Sequence, residues 1–483
     1  MAVSRWMQVG AAALTTLSLS TGGFAGNFAD ASTSTGIHPE ASKSAANASK
    51  PVSDTVQWNT VRQVIEGFGG SGAFGMAQSL QSLPNSERTG VLNLLFSPTK
   101  GIGLTIVRSL VNDGVDGTTI EPSPGQWDWN LLPDPQIWLM KVAKKYGATT
   151  LMSTPWSPPA WMKENYSVAG DGIQSESQGN TLNKLKPSDY HAYAEYLANY
   201  VNGYWSHFHI KINVISIQNE PNWNASYASC IWTPEEFHTF IKNDLIPVFK
   251  QKHVTAKVMM PETLNWSEDY ALPTLEDPVT AKAVSIVAAH GYAGDPAPFT
   301  VAQSLHKQVW ETEDSNLKQN DPTIKDGLYW ATTINQYLTV ADVNAWNYWW
   351  LLDTYSDGGG LIYVNSTGTI SLTKRLFTLG NYSRFVRPGF YRISAPNNPA
   401  PGVLVSAFKD PKTGHFAVVV VNNNTSSTKL NINFAGLKGA PKDVVPYETS
   451  AKDNLKALSP VPMTQNGFTA TLDGQSVTTF VGN

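Results

Sequence analysis

The sequence predicts an α/β protein, a (β/α)8 TIM barrel with an attached all-β sandwich domain. Eight short runs of strand character are separated by spacers long enough to hold one helix each. Polar residues follow several of these runs, which is typical of the edge of a barrel that carries the chemistry. After about Arg384 the long spacers give way to short strands separated by turns such as residues 410–414, a pattern that indicates a sandwich.

Length and composition fit such a two-domain protein. The chain has 483 residues, too many for one ordinary core. Its net charge is −4 and it has no basic run, which argues against a nucleic acid partner. The 16 Trp residues can pack in the core or cover the apolar faces of sugars. Cys230 is the only cysteine, so no disulfide can form within the chain. We also expect a monomer without a membrane span.

The N-terminal residues resemble an export signal. Arg5 precedes an apolar run over residues 9–19 that is too short for a membrane span, and small residues surround a cleavage position near Ala25. We therefore expect a signal peptide over residues 1–25 and a secreted protein, extracellular or periplasmic. Residues 26–54 are rich in Ala, Ser and Thr and predict a disordered linker.

The barrel elements follow in chain order. Residues 55–65 alternate polar and apolar side chains like a half-exposed strand, and residues 190–201 have the apolar spacing of a helix. The eight predicted barrel strands are residues 65–72, 104–108, 149–154, 214–220, 256–260, 284–289, 308–312 and 343–350. The strand at 55–65 has no place among them, so we expect it to join the sandwich. The predicted domains are a barrel over 55–385 and a sandwich over 386–483.

Two glutamates lie at the ends of predicted barrel strands, and their separation along the sequence indicates which strands these are. Glu220 follows Val214 to Asn219 and precedes Pro221, which cannot continue a central strand, and Glu313 lies 93 residues later (313 − 220). A βα unit of a barrel takes about 30 residues, so the two are three units apart, at strands 4 and 7. Those strands lie across the barrel mouth, where two carboxylates can flank one substrate bond. Either glutamate alone could equally be a surface carboxylate.

Paired carboxylates of this kind are what glycoside hydrolysis needs. One carboxyl must be protonated so that it can give a proton to the leaving oxygen. The other must be charged so that it can attack the anomeric carbon. Like charges close together raise one pKa and help to divide the roles.

An ordered set of motifs resembles glycoside hydrolase family 30 over residues 55–483. The motifs are Gly67-Phe68-Gly69-Gly70, residues 153–163, Gln218-Asn219-Glu220-Pro221, His290-Gly291-Tyr292, Trp310-Glu311-Thr312-Glu313 and residues 385–389. The resemblance implies a retaining β-glycosidase with Glu220 as acid/base and Glu313 as nucleophile, in preference to Glu311. The Tyr-Trp-Trp of strand 8 is most similar to the xylan-cleaving branch. The expected partner is a β-linked polysaccharide or oligosaccharide.

Five further residues are candidates for substrate binding, and each has a structural alternative. Arg108 could bind sugar or form a buried salt bridge, and Asn219 is expected to bond the substrate 2-hydroxyl. Tyr292 could position the nucleophile or only pack. Sugar could stack on Trp156 or Trp349, or both could belong to the core. Glu262 is a weaker candidate, and His290 would bind a metal only if partners converged on it. We predict no metal and no cofactor.

One departure from the family bears on the substrate. Glucuronoxylan-specific members carry basic residues just after strand 8, but residues 351–358 here have no Arg or Lys and contain Asp353 and Asp357. A neutral β-glycan is therefore favoured, unless a cation such as Lys163 reaches the same place from another loop. The alternatives are β-1,6-glucanase, β-1,6-galactanase or glucosylceramidase-like activity. A non-catalytic carbohydrate-binding protein is the alternative from another class.

Overall fold

The computed structural model describes residues 51–114, 119–131, 134–174 and 182–483, and the expected signal peptide and most of the expected linker lie outside them. Eight parallel strands form a closed barrel, because the eighth pairs with both the first and the seventh. The barrel strands are β2 (Gly67–Ser71), β3 (Ile106–Leu110), β4 (Thr150–Thr154), β5 (Val214–Ser216), β6 (Lys257–Asn265), β7 (Val284–Ala293), β8 (Gln308–Asp314) and β9 (Ala345–Asp353). A short hairpin, β10 (Gly360–Val364) and β11 (Ile370–Leu372), extends the sheet beyond β9.

Apolar side chains fill the inside of the barrel. They come from β3 to β9, and each is at most 1% exposed. Because strand side chains alternate between faces, the same strands also send apolar residues outward against the helices. The residues of the inner cluster are Ile106, Met152, Val214, Met259, Ile286, Ala288, Trp310 and Ala345. This inner cluster supports the polar residues that lie above it in the barrel.

Helices surround the barrel and begin at recognisable caps. Asp134 accepts hydrogen bonds from two backbone N–H groups at the start of α3, and Thr233 and Glu236 form a capping box at α5. None of the helices in the described ranges has the length and apolar character of a membrane span. The helices are α1 (Met76–Ser82), α2 (Asn85–Phe96), α3 (Pro135–Tyr146), α4 (Tyr190–Phe208), α5 (Pro234–Phe240), α6 (Ile246–Gln251), α7 (Leu272–Glu276), α8 (Pro278–Ala283), α9 (Thr300–Ser304), α10 (Ile324–Thr339) and α11 (Lys374–Ser383).

The remaining strands form the sandwich. Its sheet has the order β17-β16-β20-β14-β13-β12-β1-β15-β19, with β18 paired to β16, and it encloses a separate apolar core. The strands are β1 (Val52–Val64), β12 (Tyr391–Ser394), β13 (Val403–Lys409), β14 (Phe416–Asn422), β15 (Thr428–Ala435), β16 (Asp443–Thr449), β17 (Lys456–Ala457), β18 (Val461–Pro462), β19 (Gly467–Leu472) and β20 (Ser476–Gly482). The N-terminal strand β1 thus lies between β12 and β15, inside the sandwich.

The sandwich packs on the last two helices of the barrel. α10 contacts β13, β14 and β20, while α11 contacts β16 and β20. Asn381 of α11 donates to the carbonyl of Tyr447 (2.9 Å) and its own carbonyl accepts from the Thr479 hydroxyl (2.6 Å). Apolar residues on both sides of this contact belong to one continuous buried cluster. The two domains therefore share a core.

Several predicted boundaries differ from the structure. The second barrel strand starts later, at Ile106, so Arg108 lies in its middle and not at its tip. The fourth ends at Ser216, so Glu220 follows it in a loop. Residues 52–54, which the sequence assigned to the end of the linker, belong to β1, which begins at Val52. The predicted helix 190–201 continues to Phe208 and includes Gly203, where a side chain would collide with the Trp129 ring.

Candidate active site

Glu220 reaches the barrel mouth through a tightly fixed loop after β5. The Asn219 N–H donates to the carbonyl of Pro155 (2.8 Å), and the Glu220 N–H donates to the carbonyl of Glu262 (2.9 Å). Glu220 has φ of 44°, in the left-handed region that costs free energy for a residue with a side chain. The sequence predicted a strand end here, and the strained turn instead aims the carboxylate into the barrel mouth, where it is 4% exposed.

Glu313 meets Glu220 from the opposite side of the barrel. It lies one residue before the end of β8 and is also 4% exposed. A carboxylate oxygen of each glutamate and a ring nitrogen of His290 lie within 4.8 Å of one another. The two glutamates that the sequence placed three units apart are therefore brought together, at a separation compatible with the approximately 5–5.5 Å of retaining glycosidases.

Glu313 is held by two partners. The Arg108 guanidinium forms an ion pair with Oε2, and the Tyr292 hydroxyl donates to Oε1 at 2.8 Å. Burial raises the pKa of Glu313, whereas the charges of His290 and Arg108 act to lower it. Both partners favour the charged carboxylate that an attack on carbon requires.

Arg108 connects the polar residues of the site. Besides Glu313, its guanidinium donates to the Asn219 side-chain oxygen (2.6 Å) and to Glu262 (3.1 Å). It is 1% exposed, and its charge is met by carboxylates on two strands. The buried salt bridge was the alternative to sugar binding in the sequence, and the structure shows that Arg108 forms two.

The two Trp candidates lie at the site but are largely covered. The Arg108 guanidinium carbon lies 4.5 Å from the Trp156 ring centroid and 5.6 Å from that of Trp349. Trp156 is 2% exposed and Trp349 is 5% exposed, and their rings pack against each other and Phe74. Trp156 therefore has little free surface on which a sugar could stack, and its evident role is to position Arg108.

His290 is a functional residue whose role the sequence did not reveal. Its Nδ1 lies 3.1 Å from Glu220 Oε1, and its Nε2 lies 3.9 Å from both Glu262 and Glu313. Burial lowers its pKa, but Glu313 and then the hydrogen bonds with Glu220 and Glu262 outweigh burial and raise the pKa to about 10. Glu220, His290 and Glu313 form an ion network, and the spacing of their ligand atoms would also fit a cation.

Glu262 completes this network as a third carboxylate. It accepts from Arg108 and from the Thr154 hydroxyl (3.0 Å) and is fully buried. Burial raises its pKa, but Arg108 and His290 outweigh this and hold the pKa at about 2. Glu262 therefore stays charged and balances Arg108 and His290. Its position two residues after Met260, in a run that resembles a strand end, was the signal in the sequence.

Glu311 takes a supporting position beneath Glu313. Its two oxygens accept from the backbone N–H groups of Glu313 (2.7 Å) and Asn347 (3.1 Å). Burial and then Asp314 raise its pKa well above its usual range. The oxygens of Glu311 are used to fix the backbone at the end of β8. Glu313, in contrast, faces Glu220.

The loops beside Glu220 are joined by Lys163. Its ammonium donates to the carbonyls of Val168 (3.1 Å) and Ser229 (2.6 Å), and burial lowers its pKa to about 8. The loop that contains Ser229 also carries Tyr227, whose hydroxyl lies 3.4 Å from Glu220 Oε2. Lys163 is fully buried, so it is not the free cation that the sequence left open for an acidic substrate group.

Comparisons with known proteins agree with this arrangement. The family model of Glycosyl hydrolase family 59 matches residues 65–365, more than half of the chain. The Glycosyl hydrolase family 30 beta sandwich domain matches residues 389–480. The chain is 29% identical over 439 residues to Glucuronoxylanase XynC of Bacillus subtilis, covering 89% of this chain and 91% of that protein.

Two other similarities extend this result. Endo-1,6-beta-D-glucanase of Neurospora crassa is 25% identical over 362 residues, which are 68% of this chain and 71% of that protein. The solved catalytic domain of GH30 xylanase C from Talaromyces cellulolyticus has a TM-score of 0.78 and 28% identity, covering 89% of this chain and all of that chain (100%).

Both domains and the relatives lead to the same class, and the chain is an O-glycosyl hydrolase. Through its barrel, it belongs to glycosyl hydrolase family 59, and its second domain is the family 30 type of sandwich. The resemblance to family 30 seen in the motifs is thus supported by the sandwich and by the GH30 xylanase, while the barrel match carries the name of family 59.

Proposed function

We propose that this chain is a retaining β-glycosidase of the family 30 type, which cleaves a neutral, xylan-type β-glycan without dependence on glucuronate. The observation that carries the proposal is the approach of Glu220 and Glu313 oxygens within 4.8 Å. That separation leaves no room for a water between the carboxylate and the sugar, as an inverting enzyme needs, and favours direct attack by one carboxylate.

The reaction then has two steps. An oxygen of Glu313 forms a bond to the anomeric carbon while the glycosidic C–O bond breaks, and Glu220 gives its proton to the leaving oxygen. In the second step Glu220, now a carboxylate, takes a proton from water. The water oxygen bonds to the anomeric carbon, and the ester bond to Glu313 breaks. The sugar keeps its β configuration after two inversions.

The surrounding residues assist each step. His290 donates to Oε1 of Glu220, so we assign the transferred proton to Oε2, which lies 3.4 Å from the Tyr227 hydroxyl. Arg108 and Tyr292 stabilise the charge of Glu313 before attack and after the ester breaks. Asn219 is held by Arg108 beside Glu220, where its amide can donate to the 2-hydroxyl of the sugar.

The substrate class is supported by both the relatives and the loop after β9. The named relatives are a glucuronoxylanase, a xylanase and an endo-1,6-β-glucanase, so xylan is the first candidate polymer and β-1,6-glucan is the second. Arg375, which donates to the carbonyl of Gly360 just after the 351–358 loop, is already paired with Asp326 at 2.7 Å. The neutral polymer therefore remains the favoured substrate.

The proposal is tested with purified protein and a panel of polymers. Linear xylan, glucuronoxylan, β-1,6-glucan and β-1,6-galactan are incubated with the enzyme, and the products are sized. NMR of the first-formed product should show the β-anomer, and an initial α-anomer would refute the retaining mechanism. A chain that binds these glycans without cleaving any of them would instead be a carbohydrate-binding protein, the alternative from another class.

Export is also part of the proposal, supported by the apolar run after Arg5. N-terminal sequencing of protein collected from the culture medium or periplasm should find a start near residue 26. Full-length protein that stays with the cytoplasm would contradict it.

A further inference from the structure

Glu262, in the middle of β6, lies between the partners of both catalytic glutamates. Its Oε1 is 3.1 Å from a guanidinium nitrogen of Arg108 and 3.9 Å from Nε2 of His290. Arg108 forms the ion pair with the nucleophile Glu313, and His290 bonds the acid/base Glu220. One carboxylate oxygen of Glu262 therefore faces a partner of each catalytic glutamate.

The contact with Glu262 fixes the direction of the Arg108 guanidinium. Its Nη2 is shared between Glu262 and the side-chain oxygen of Asn219, while its Nη1 meets Glu313. The second Glu262 oxygen accepts from the Thr154 hydroxyl at 3.0 Å, so both carboxylate oxygens are held. Because a guanidinium is planar and rigid, holding one of its nitrogens sets the positions of the others. Glu262 thus helps to determine where Arg108 holds the nucleophile.

The main chain of Glu262 also holds the acid/base. Its carbonyl accepts from the Glu220 N–H at 2.9 Å. Both residues have a left-handed backbone, with φ of 56° at Glu262 and 44° at Glu220, and such a conformation persists only where surrounding contacts hold it. Glu262 therefore acts on Glu220 twice, through its own carbonyl and through the imidazole of His290.

The charge of Glu262 can be separated from its shape. Burial raises its pKa, but Arg108 and His290 outweigh burial and hold the pKa at about 2, so the carboxylate is charged. A buried negative charge makes neighbouring groups hold their protons more tightly. Glu311 is equally buried (0% exposed), but burial and then Asp314 raise its pKa well above its usual range, so this carboxyl is neutral. Glu311 is therefore a matched comparison without the charge.

We propose that Glu262 is a positioning residue for both catalytic glutamates, which aligns Arg108 with Glu313, holds the turn at Glu220 and helps to keep the proton on the acid/base. The inference rests on the proposed glycosidase function. Glu262 itself is fully buried, so it acts through its neighbours and does not touch the sugar.

The test uses two substrates that differ in their need for a proton. Xylotetraose needs one on its leaving oxygen, whereas 2,4-dinitrophenyl β-xylobioside releases a stable phenolate and depends on the nucleophile alone. The corresponding gentio-oligosaccharides replace them if β-1,6-glucan is the polymer that is cleaved. Glu262→Gln removes the charge and keeps the shape, and Glu262→Asp keeps the charge and shortens the side chain. Glu311→Gln is the control, because it removes no charge.

For Glu262→Gln we expect kcat/KM on the tetrasaccharide to fall by about tenfold or more, mostly through kcat, since no contact with the sugar is lost. The alkaline limb of its pH profile should shift to lower pH by about one unit, because the acid/base loses its proton more easily. The loss on the aryl glycoside should be smaller, since only the link through Arg108 to Glu313 contributes. Glu262→Asp should lower kcat without moving the limb, and Glu311→Gln should not move it either.

A second pair of variants tests the same network if Glu262→Gln fails to fold, which the thermal midpoint will show. Thr154→Val removes the hydroxyl that Glu262 accepts, and Thr154→Ser keeps it. We expect Thr154→Val to lower kcat on the tetrasaccharide and Thr154→Ser to restore it. Equal kcat values for the two variants and the wild type would count against the proposal.

The outcomes separate this role from the proposed function. An alkaline limb of Glu262→Gln that stays at the wild-type pH, an equal shift in Glu311→Gln, or equal losses on both substrates would each overturn the positioning role and leave the glycosidase function intact. A wild-type protein that cleaves no glycan of the panel would refute the function, and the role of Glu262 with it.

Discussion

The ring nitrogens of His290 lie near all three carboxylates at the centre of the site. It contacts Glu220 and faces Glu262 and Glu313, so three carboxylates surround one imidazolium and one guanidinium. Each carboxylate would be costly to bury alone. The cations therefore stabilise the buried acids, and Arg108 and His290 keep Glu262 charged by holding its pKa at about 2.

We predict a pH-dependent stability that depends on His290. Its pKa is raised from 6.5 to about 10, so the contribution of its bound proton to folding is fully present below about pH 6.5. This contribution is lost as the pH rises through about 10, with a slope of up to about 1.4 kcal/mol per pH unit for one proton. Urea unfolding of the wild type and of His290→Asn between pH 6 and pH 10 measures the difference.

The control for this measurement is the exposed His415, replaced by Asn. Asp314 and Asp353 also have raised pKa values, of about 7 and about 8, and their contributions to stability fall in the same direction as the pH rises. The difference in slope between His290→Asn and the wild type is therefore the relevant quantity. Parallel curves over this range would show that His290 is not the charged partner of the carboxylates.

The roles of the two glutamates give the second prediction. Glu220→Gln and Glu313→Gln should each lower kcat by about a thousandfold or more, because each removes a proton transfer or a covalent step. Both variants should fold, since Gln has nearly the same shape. Turnover of a polymer and the thermal midpoint are measured together, with Glu87→Gln on the exposed side of α2 as the control. Near wild-type turnover of Glu313→Gln would move the nucleophile role to another carboxylate.

At the scale of elements, the sequence predicted the number and order of the barrel strands well. Hydrophobic runs and strand-end polar residues are local signals, and they also led to Glu220 and Glu313. The left-handed backbone of Glu220 and of Glu262 (φ of 56°) is not local, because contacts with other strands hold it. For the same reason Arg108 was predicted at a strand tip, whereas its interior position follows from carboxylates more than a hundred residues away.

The loop after β9 carries the third prediction. Glucuronate branches should give no rate advantage, because residues 351–358 offer no cation to pair with a desolvated carboxylate. Burial and then Asp357 raise the pKa of Asp353 to about 8, so below that pH Asp353 is mostly neutral and adds little repulsion. The lack of a cation in residues 351–358 is therefore the main reason to expect no preference for glucuronate. The measurement compares kcat/KM on glucuronoxylan and on linear xylan.

A tenfold preference for glucuronoxylan, equivalent to about 1.4 kcal/mol, would contradict this prediction. Lys318 and Lys325, which line one cavity together with Tyr292, are then the cations to examine. If Lys318→Gln or Lys325→Gln abolished the preference, the acid group would be bound there.

At the scale of the whole molecule, the two domains are joined twice. The chain passes through the sandwich as β1 before it enters the barrel, and it returns to the sandwich after α11. The outward faces of β13, β14 and β20 belong to the same buried cluster as the barrel helices. The sandwich therefore covers apolar barrel surface that water would otherwise contact.

The last prediction concerns this shared core. A protein that ends near Arg384 should be insoluble, because β1 loses β12 and β15 and the apolar faces of α10 and α11 become exposed. A chain that starts at residue 51 and keeps every described element is the control and should stay active. A soluble, active protein lacking the sandwich would contradict the prediction.

A smaller change at the same contact gives a graded version of the prediction. A Cβ at Gly380 in α11 would lie 2.5 Å from Leu455 of the sandwich and 2.6 Å from Ile102 of the barrel. A Cβ at Gly90 in α2 would meet no atom within 4 Å, so Gly90→Ala is a matched helical control. We expect Gly380→Ala to reduce the free energy of unfolding by about 1–3 kcal/mol, the usual cost of overpacking. Gly90→Ala should leave it unchanged or raise it by up to about 1 kcal/mol. Chemical denaturation of both variants measures this, and equal stabilities would mean that the two domains touch without sharing a packed core.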